Sequence, residues 1–193
     1  MLLCCHIEYD PALLAQAMAL SLPERQKKAQ GIRNERVKAA SLAAGLLLKY
    51  GLHQCGVSNA DMGYTEKGKP YLTRNSLHFS LSHSGEYAAC AINQKAVGVD
   101  IQKIVPVSQR AVLRFCTAAE QHYLSGSRNF QRDSIRLWAL KESWLKAAGK
   151  SSGDMFNASF ELCGTTTLKG PEGFIYRLYE DIPGYILALC ESE

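Results

Sequence analysis

"AVGVDIQKI", residues 96–104, has the β-branched, apolar composition of a strand but carries an aspartate at its centre. Alternation along a strand puts Val97, Val99 and Ile101 on one face and Gly98, Asp100 and Gln102 on the other. A carboxylate on a half-buried sheet costs free energy unless a cation or a metal meets it. Two oxygen-bearing side chains therefore share a face with a glycine that leaves room for close approach. The same stretch orders the rest of the chain, because at an offset of 98 residues the N-terminal "MLLCCHI" falls on "VDIQKIV".

Working outward, each of these strands is followed by helical grammar and then by a hairpin. "SLPE" at 21–24 and "TAAE" at 117–120 have the capping-box pattern, and both precede about thirty residues of helical composition. In "RVKAASLAAGLLLKYG" the stripe is Val37, Ala40, Ala44, Leu47 and Leu48, with Gly51 placed to end the helix. In "DSIRLWALKESWLKAAG" it is Ile135, Trp138 and Leu145, with Gly149 at the end. "LHFSLS", with Leu77, Phe79 and Leu81 on one face, turns at "HSGE" into "YAACAI"; "FIYRLY" turns at "EDIPG" into "YILALC". The spacing predicts an α+β protein of two similar α/β halves, residues 1–97 and 98–193, in a pseudo-two-fold duplicated fold with a cleft at their interface. The duplication breaks where polar groups occur once: the offset sets Asp100 on Leu2, His83 on Asp181 and Lys69 on Thr167. One asymmetric site is the economical expectation.

Composition narrows the class. A chain of 193 residues buries roughly 70% of its unfolded surface and needs no covalent staples. No apolar run reaches the roughly 20 residues of a membrane span, and the N-terminus lacks a basic leader, so a soluble protein without a signal peptide is expected. Seven cysteines, odd in number and without C-x-x-C spacing, read as reduced cytoplasmic thiols. Net charge is +4, but residues 21–50 hold seven Lys or Arg (25, 27, 28, 33, 36, 38 and 49) against two Glu. No aromatics interleave them, so an anionic ligand or a solvated helix face fits better than nucleic acid.

Glu142 is the second anomaly, since it lies four residues after Trp138 and three before Leu145 and interrupts the stripe. An i,i+4 pair with Lys146, worth about 0.2–0.5 kcal/mol, would explain it structurally. A divalent cation shared with Asp100 would explain it functionally, because magnesium typically takes one or two protein carboxylates and fills its remaining positions with water and phosphate oxygens. "SLSHSGE" places Ser82, His83 and Ser84 at a hairpin tip rich in backbone N–H groups, and "EKGKPYL" sets Lys67 and Lys69 around Gly68, before Pro70. "GKSSG" at 149–153 lacks the P-loop glycine, since Trp144 stands in its place.

Taken in order, "KGKPYL", "FSLSHSGEYAACAI", "GVDIQ", "FCTAAE" and "WALKESWLKAAGK" resemble the motif series of the 4′-phosphopantetheinyl transferases of the surfactin-synthetase-activating, pseudo-dimeric type. The resemblance implies transfer of 4′-phosphopantetheine from coenzyme A to a serine of an apo acyl or peptidyl carrier protein, an acidic helical domain. It implies Mg²⁺ on Asp100 and Glu142, with Gln102 or a water in its place as a further ligand, Glu142 helping to deprotonate the serine directly or through a metal-bound water, and Lys146 facing the pyrophosphate. Ser82 and His83 would hold coenzyme A phosphates, Lys69 and Pro70 would lie by the adenine, and Arg36 or Lys38 would reach the 3′-phosphate. Two departures stand out. Ala40 occupies a place where the family often has arginine, and Gln102 one where glutamate is commoner. Glu120 matches a recurrent acid, and Arg110 and Arg114 fall in a segment that could dock the carrier. A monomer is expected. A Mg²⁺-dependent hydrolase of coenzyme A or nucleotide pyrophosphate, or a degenerate carrier-binding protein, would carry many of the same residues.

Overall fold

The computed structural model describes residues 1–66, 68–163 and 167–193, and its chain divides into two compact units, Met1–Gln94 and Lys95–Glu193. Lys67, one of the two lysines around Gly68, lies outside the described residues.

In the first unit, β1 (Leu2–His6) leads through α1 (Pro11–Leu20) and α2 (Pro23–Gln30) to the long α3 (Glu35–Gln54). A short ribbon, β2 (Met62–Tyr64) and β3 (Pro70–Leu72), precedes the hairpin β4 (His78–Ser84) and β5 (Tyr87–Asn93). The sheet is antiparallel in the order β1-β5-β4. Leu48 and Leu52 of α3 pack with Phe79, Cys90 and Ile92 of the hairpin into the core of this unit.

Two local expectations fail here, each for a physical reason. Ser21 does not open a helix; its backbone N–H and hydroxyl close α1 on the carbonyl of Ala17, and α2 begins instead at Pro23, whose missing N–H suits a first turn. Gly51 does not end α3, which continues to Gln54. A Cβ at Gly51 would sit 2.6 Å from Ile92 Cδ1 and 3.0 Å from Leu3 Cδ1, so the glycine marks where the helix presses on the sheet.

The second unit starts with β6 (Val97–Lys103), continues through α4 (Gln109–Val112) and α5 (Ala118–Ser125), and reaches α6 (Phe130–Ala148). A 3₁₀ turn (Ser152–Asn157) and a ribbon, β7 (Glu161–Cys163) and β8 (Thr167–Lys169), lead to the hairpin β9 (Phe174–Tyr179) and β10 (Tyr185–Ser192). Its sheet runs β6-β10-β9, so strand, long helix, ribbon and hairpin recur in the order of the first unit. The capping box expected at Thr117 and Glu120 forms, and α6 ends at Gly149 in the left-handed conformation, φ 65°.

The buried face of α6 is wider than the expected stripe. Leu137, Leu140 and Trp144 are core residues, at 0%, 0% and 3% exposure. Of the expected stripe, Ile135 and Leu145 also belong to the core, at 7% and 4% exposure, and Trp138 packs against it partly buried; Ile135 and Trp138 line a cleft of about 680 Å³ as well. Among the described residues no helix is long and apolar enough to cross a membrane.

Candidate functional site

The contact between β6 and α6 is made by backbone. A Cβ on Gly98 would collide with the carbonyl oxygen of Ser143 and come within 2.6 Å of Ala147 N. Only glycine lets the helix lie that close to the strand. Asp100 and Gln102, on the same face as Gly98, are thereby brought under the last turns of α6.

Asp100 is 2% exposed. Its Oδ1 accepts from Lys146 Nζ at 2.6 Å and its Oδ2 from Gln102 Nε2 at 2.9 Å, and Lys146 also donates to the carbonyl of Val99 at 3.1 Å. The charge in the strand therefore has a charge-assisted partner, and that partner comes from across the helix–sheet contact. Glu142, half-buried one turn earlier on α6, has its pKa pushed up by burial and by the negative charge of Asp100, with Lys146 working in the opposite direction. Two carboxylates thus feel one another's charge beside a single ammonium. Gln102 and Glu142 line one part of the cleft, with Trp138 and Phe115 among its apolar residues.

The donor set is chemically coherent. Among the described residues no group of three His, Cys, Asp or Glu is placed to hold a metal. The two carboxylates of Asp100 and Glu142 and the amide oxygen of Gln102 have the chemistry of ligands for a hard cation such as Mg²⁺, which takes water and phosphate oxygens in its remaining positions. A cation there would offset both causes of the raised pKa of Glu142, its burial first and the charge of Asp100 second.

The first unit spreads its candidates over three elements. Arg36 stands exposed in the first turn of α3, its guanidinium 5.8 Å from the ring centroid of Tyr9, and Lys38 follows half-buried. Lys69 closes a turn in which its N–H bonds Thr65 Oγ1 at 3.1 Å and its carbonyl accepts from Thr65 N–H at 2.9 Å. Burial lowers the pKa of the Lys69 ammonium, and Pro70 begins β3 beside it. Ser82, buried, and His83, exposed, close β4 opposite Ala89 and Ala88. The hairpin tip itself is Gly85 and Glu86, one step beyond Ser84.

Two buried cations escaped the reading of the sequence. Arg25 is 4% exposed; its Nη2 donates to the carbonyl and hydroxyl of Ser41 at 2.6 and 2.9 Å, while its Nε has no hydrogen-bond partner among the described residues. Lys141, next to Glu142, is 0% exposed and lies 2.9 Å from Glu120. Lys141 was detectable in the sequence, because it falls at i+4 from Leu137 and i−3 from Trp144 and interrupts a helical stripe as Glu142 does.

The sequence pattern of the 4′-phosphopantetheinyl transferase superfamily matches residues 96–190, the stretch that carries this arrangement. A 4′-phosphopantetheinyl transferase of Bacillus subtilis is 30% identical over 190 residues, covering 91% of this chain and 84% of its own. The chain belongs to the 4′-phosphopantetheinyl transferase superfamily. The transferase Sfp of Bacillus subtilis (strain 168) is 28% identical over 187 residues with the same coverage, and gsp of Aneurinibacillus migulanus is 35% identical over 133 residues, 65% of this chain and 56% of its own. Within the superfamily the chain is of the Sfp-like type. The superfamily match covers every element that builds the Asp100–Lys146 contact, from β6 to β10.

Proposed function

We propose that the protein transfers the 4′-phosphopantetheine group of coenzyme A to a serine of an apo carrier protein. The observation that carries this reading is the β6–α6 contact, where Gly98 allows Asp100, Gln102, Glu142 and Lys146 to converge within the segment that matches the superfamily.

In this reading the serine oxygen attacks the phosphorus that bears the pantetheine. A new P–O bond forms, the bond to the bridging oxygen breaks, and adenosine 3′,5′-bisphosphate leaves with the electron pair. Mg²⁺, held by Asp100, Glu142 and Gln102, would neutralise charge on the pyrophosphate oxygens. Glu142 takes the serine proton, and Lys146 presents its ammonium to the departing phosphate. Burial of Asp100 fixes Lys146 in place before substrate arrives, so less ordering is left to the reaction.

The first unit supplies the coenzyme A contacts: Ser82 and His83 to phosphates, Lys69 and Pro70 by the adenine, and Arg36 or Lys38 at the 3′-phosphate. Arg25 joins this set, since a buried guanidinium with one unsatisfied N–H suits an anion near α2 and α3. The matching order of strands in the two sheets supports a duplicated fold. The local excess of cations supports an acidic carrier domain as partner, and the free thiols of Cys4, Cys5, Cys55, Cys90, Cys116 and Cys190 support a reducing compartment such as the cytoplasm.

The test is incubation with coenzyme A and Mg²⁺, with and without a panel of apo carriers, read by mass. Phosphopantetheine mass appears on a carrier, and adenosine 3′,5′-bisphosphate appears only when that carrier is present. Release of nucleotide without carrier would point to a hydrolase and overturn the reading.

A further inference from the structure

Lys141 and Glu120 form an ion pair that is 0% and 1% exposed in its side chains. Such a pair is a poor source of stability, because apolar residues of similar volume often serve as well or better. Its value lies in direction. Lys141 Nζ donates to the carbonyl oxygens of Met155, at 3.0 Å, and Ala158, and meets Glu120 Oε2 at 2.9 Å. Glu120 Oε2 also accepts from the N–H of Thr117 at 2.7 Å, and Oε1 from the N–H of Phe160 at 2.9 Å. All three ammonium protons and both carboxylate oxygens are engaged, so the network is closed. It joins the start of α5, the middle of α6 and the stretch from Met155 to Phe160.

Two of these pieces line the cleft. Trp138 and Glu142 reach it from α6, and Ser152, Gly153 and Met155 reach it from the 3₁₀ turn. The carbonyl of Met155 is held by the residue next to Glu142. Val105, Val107 and Arg114, from the segment read above as a carrier-docking face, line the same cleft. We propose that Lys141 and Glu120 are positioning residues for the carrier: the pair sets the 152–155 wall against Glu142, and so fixes where the carrier's serine enters. This rests on the transferase reading and adds to it the residues that govern the second substrate. Coenzyme A binding is independent of the pair, because Lys146 is anchored by Asp100 and Val99 and the other coenzyme A candidates belong to the first unit.

The decisive variant is Lys141→Met combined with Glu120→Leu, which removes both charges and leaves neither ion unpaired; Lys141→Met alone strands a buried carboxylate and serves to show that the pair is intact in the wild type. The double variant keeps a wild-type melting temperature and a KM for coenzyme A within about twofold. Its KM for an apo carrier that the wild type modifies rises about tenfold, equivalent to 1.4 kcal/mol, with a smaller change in kcat. Amide hydrogen exchange speeds up between Ser152 and Phe160, the Phe160 N–H included. A double variant that melts like the wild type but has an unchanged carrier KM or unchanged exchange at 152–160 overturns the proposal, as does a loss of kcat that merely tracks the folded fraction. Failure of the wild type itself to modify any apo carrier is a different result, and overturns the transferase reading on which the proposal stands.

Discussion

The two units use the same order of strands, with a long helix between the first strand and the hairpin, but they solve the helix–sheet contact in opposite ways. In the first, the small residue is on the helix: Gly51 makes room for the side chains of Leu3 and Ile92. In the second it is on the strand: Gly98 makes room for the backbone of α6 at Ser143 and Ala147. At the offset of 98 residues, Glu142 and Lys146 fall on Ala44 and Leu48, both 0% exposed, and Asp100 falls on Leu2. One helix presents methyl groups to its sheet, and the other a carboxylate and an ammonium. What separates the two contacts is thus three side chains and the placement of one glycine, on a shared order of elements.

The largest effects should come from breaking the charged version. Asp100→Ala and Glu142→Gln should each lower the rate of carrier modification by roughly 10²–10³-fold, the range for removing a preorganised electrostatic group, with circular dichroism unchanged. The counterpart in the first unit, Leu48→Ala, should behave differently. It opens a cavity in a closed core and should cost about 2–5 kcal/mol in denaturant unfolding, while kcat per folded molecule holds. If Leu48→Ala cut kcat as deeply as Asp100→Ala, the division of labour would be wrong.

The glycines give the next contrast. Gly98→Ala puts a methyl into backbone that cannot rotate away, and should cost roughly 1–3 kcal/mol and most of the activity, because β6 and α6 must separate. Gly51→Ala meets only the ends of two flexible side chains, and alanine gains about 0.8–1.0 kcal/mol of helix propensity over glycine. Its net change in melting temperature should be small. Equal losses at the two positions would show that the contacts are alike after all.

The repeat of elements was legible because hydrophobic alternation and terminal glycines are local signals, and Asp100 and Glu142 were legible because each interrupts an apolar pattern. Lys146 was legible both as the i,i+4 neighbour of Glu142 and by resemblance, but its partner was not: its ammonium bonds Asp100, 46 residues away. That choice depends on the depth to which Gly98 lets the helix settle, a tertiary quantity. Gly51 was misread for the same reason, since a glycine near a helix end and a glycine at a close packing point look alike in sequence. Lys141 was overlooked because the apolar stripe was drawn through Trp138, on the cleft side, and the deeper stripe through Leu137 and Trp144 lies about one residue's rotation away.

Gln102→Glu tests the charge balance of the site with a milder effect. The amide of Gln102 donates to Asp100 Oδ2, a bond that a carboxylate cannot donate. Replacing it adds an acidic oxygen donor beside two others, so Mg²⁺ should bind about five- to tenfold more tightly, near 1–1.4 kcal/mol, and half-maximal activity should need correspondingly less metal. Titration calorimetry with Mg²⁺ reads the first and the rate against Mg²⁺ concentration the second. An unchanged metal requirement would remove Gln102 from the ligand set.

The smallest effect belongs to the first unit, and its size follows from exposure. Arg36 stands in solvent over Tyr9, so a phosphate contact there is worth at most about 1 kcal/mol and is screened by salt. Arg36→Ala should raise the KM for coenzyme A by roughly two- to fivefold at low ionic strength and by less as salt is added, with kcat intact. Lys146→Ala, which leaves a buried Asp100 without its ammonium, should cost far more and be nearly indifferent to salt. A salt-insensitive loss at Arg36 as deep as that at Lys146 would mean that the first unit holds a desolvated charge in the complex, and that chemistry is shared between the units and not confined to the second.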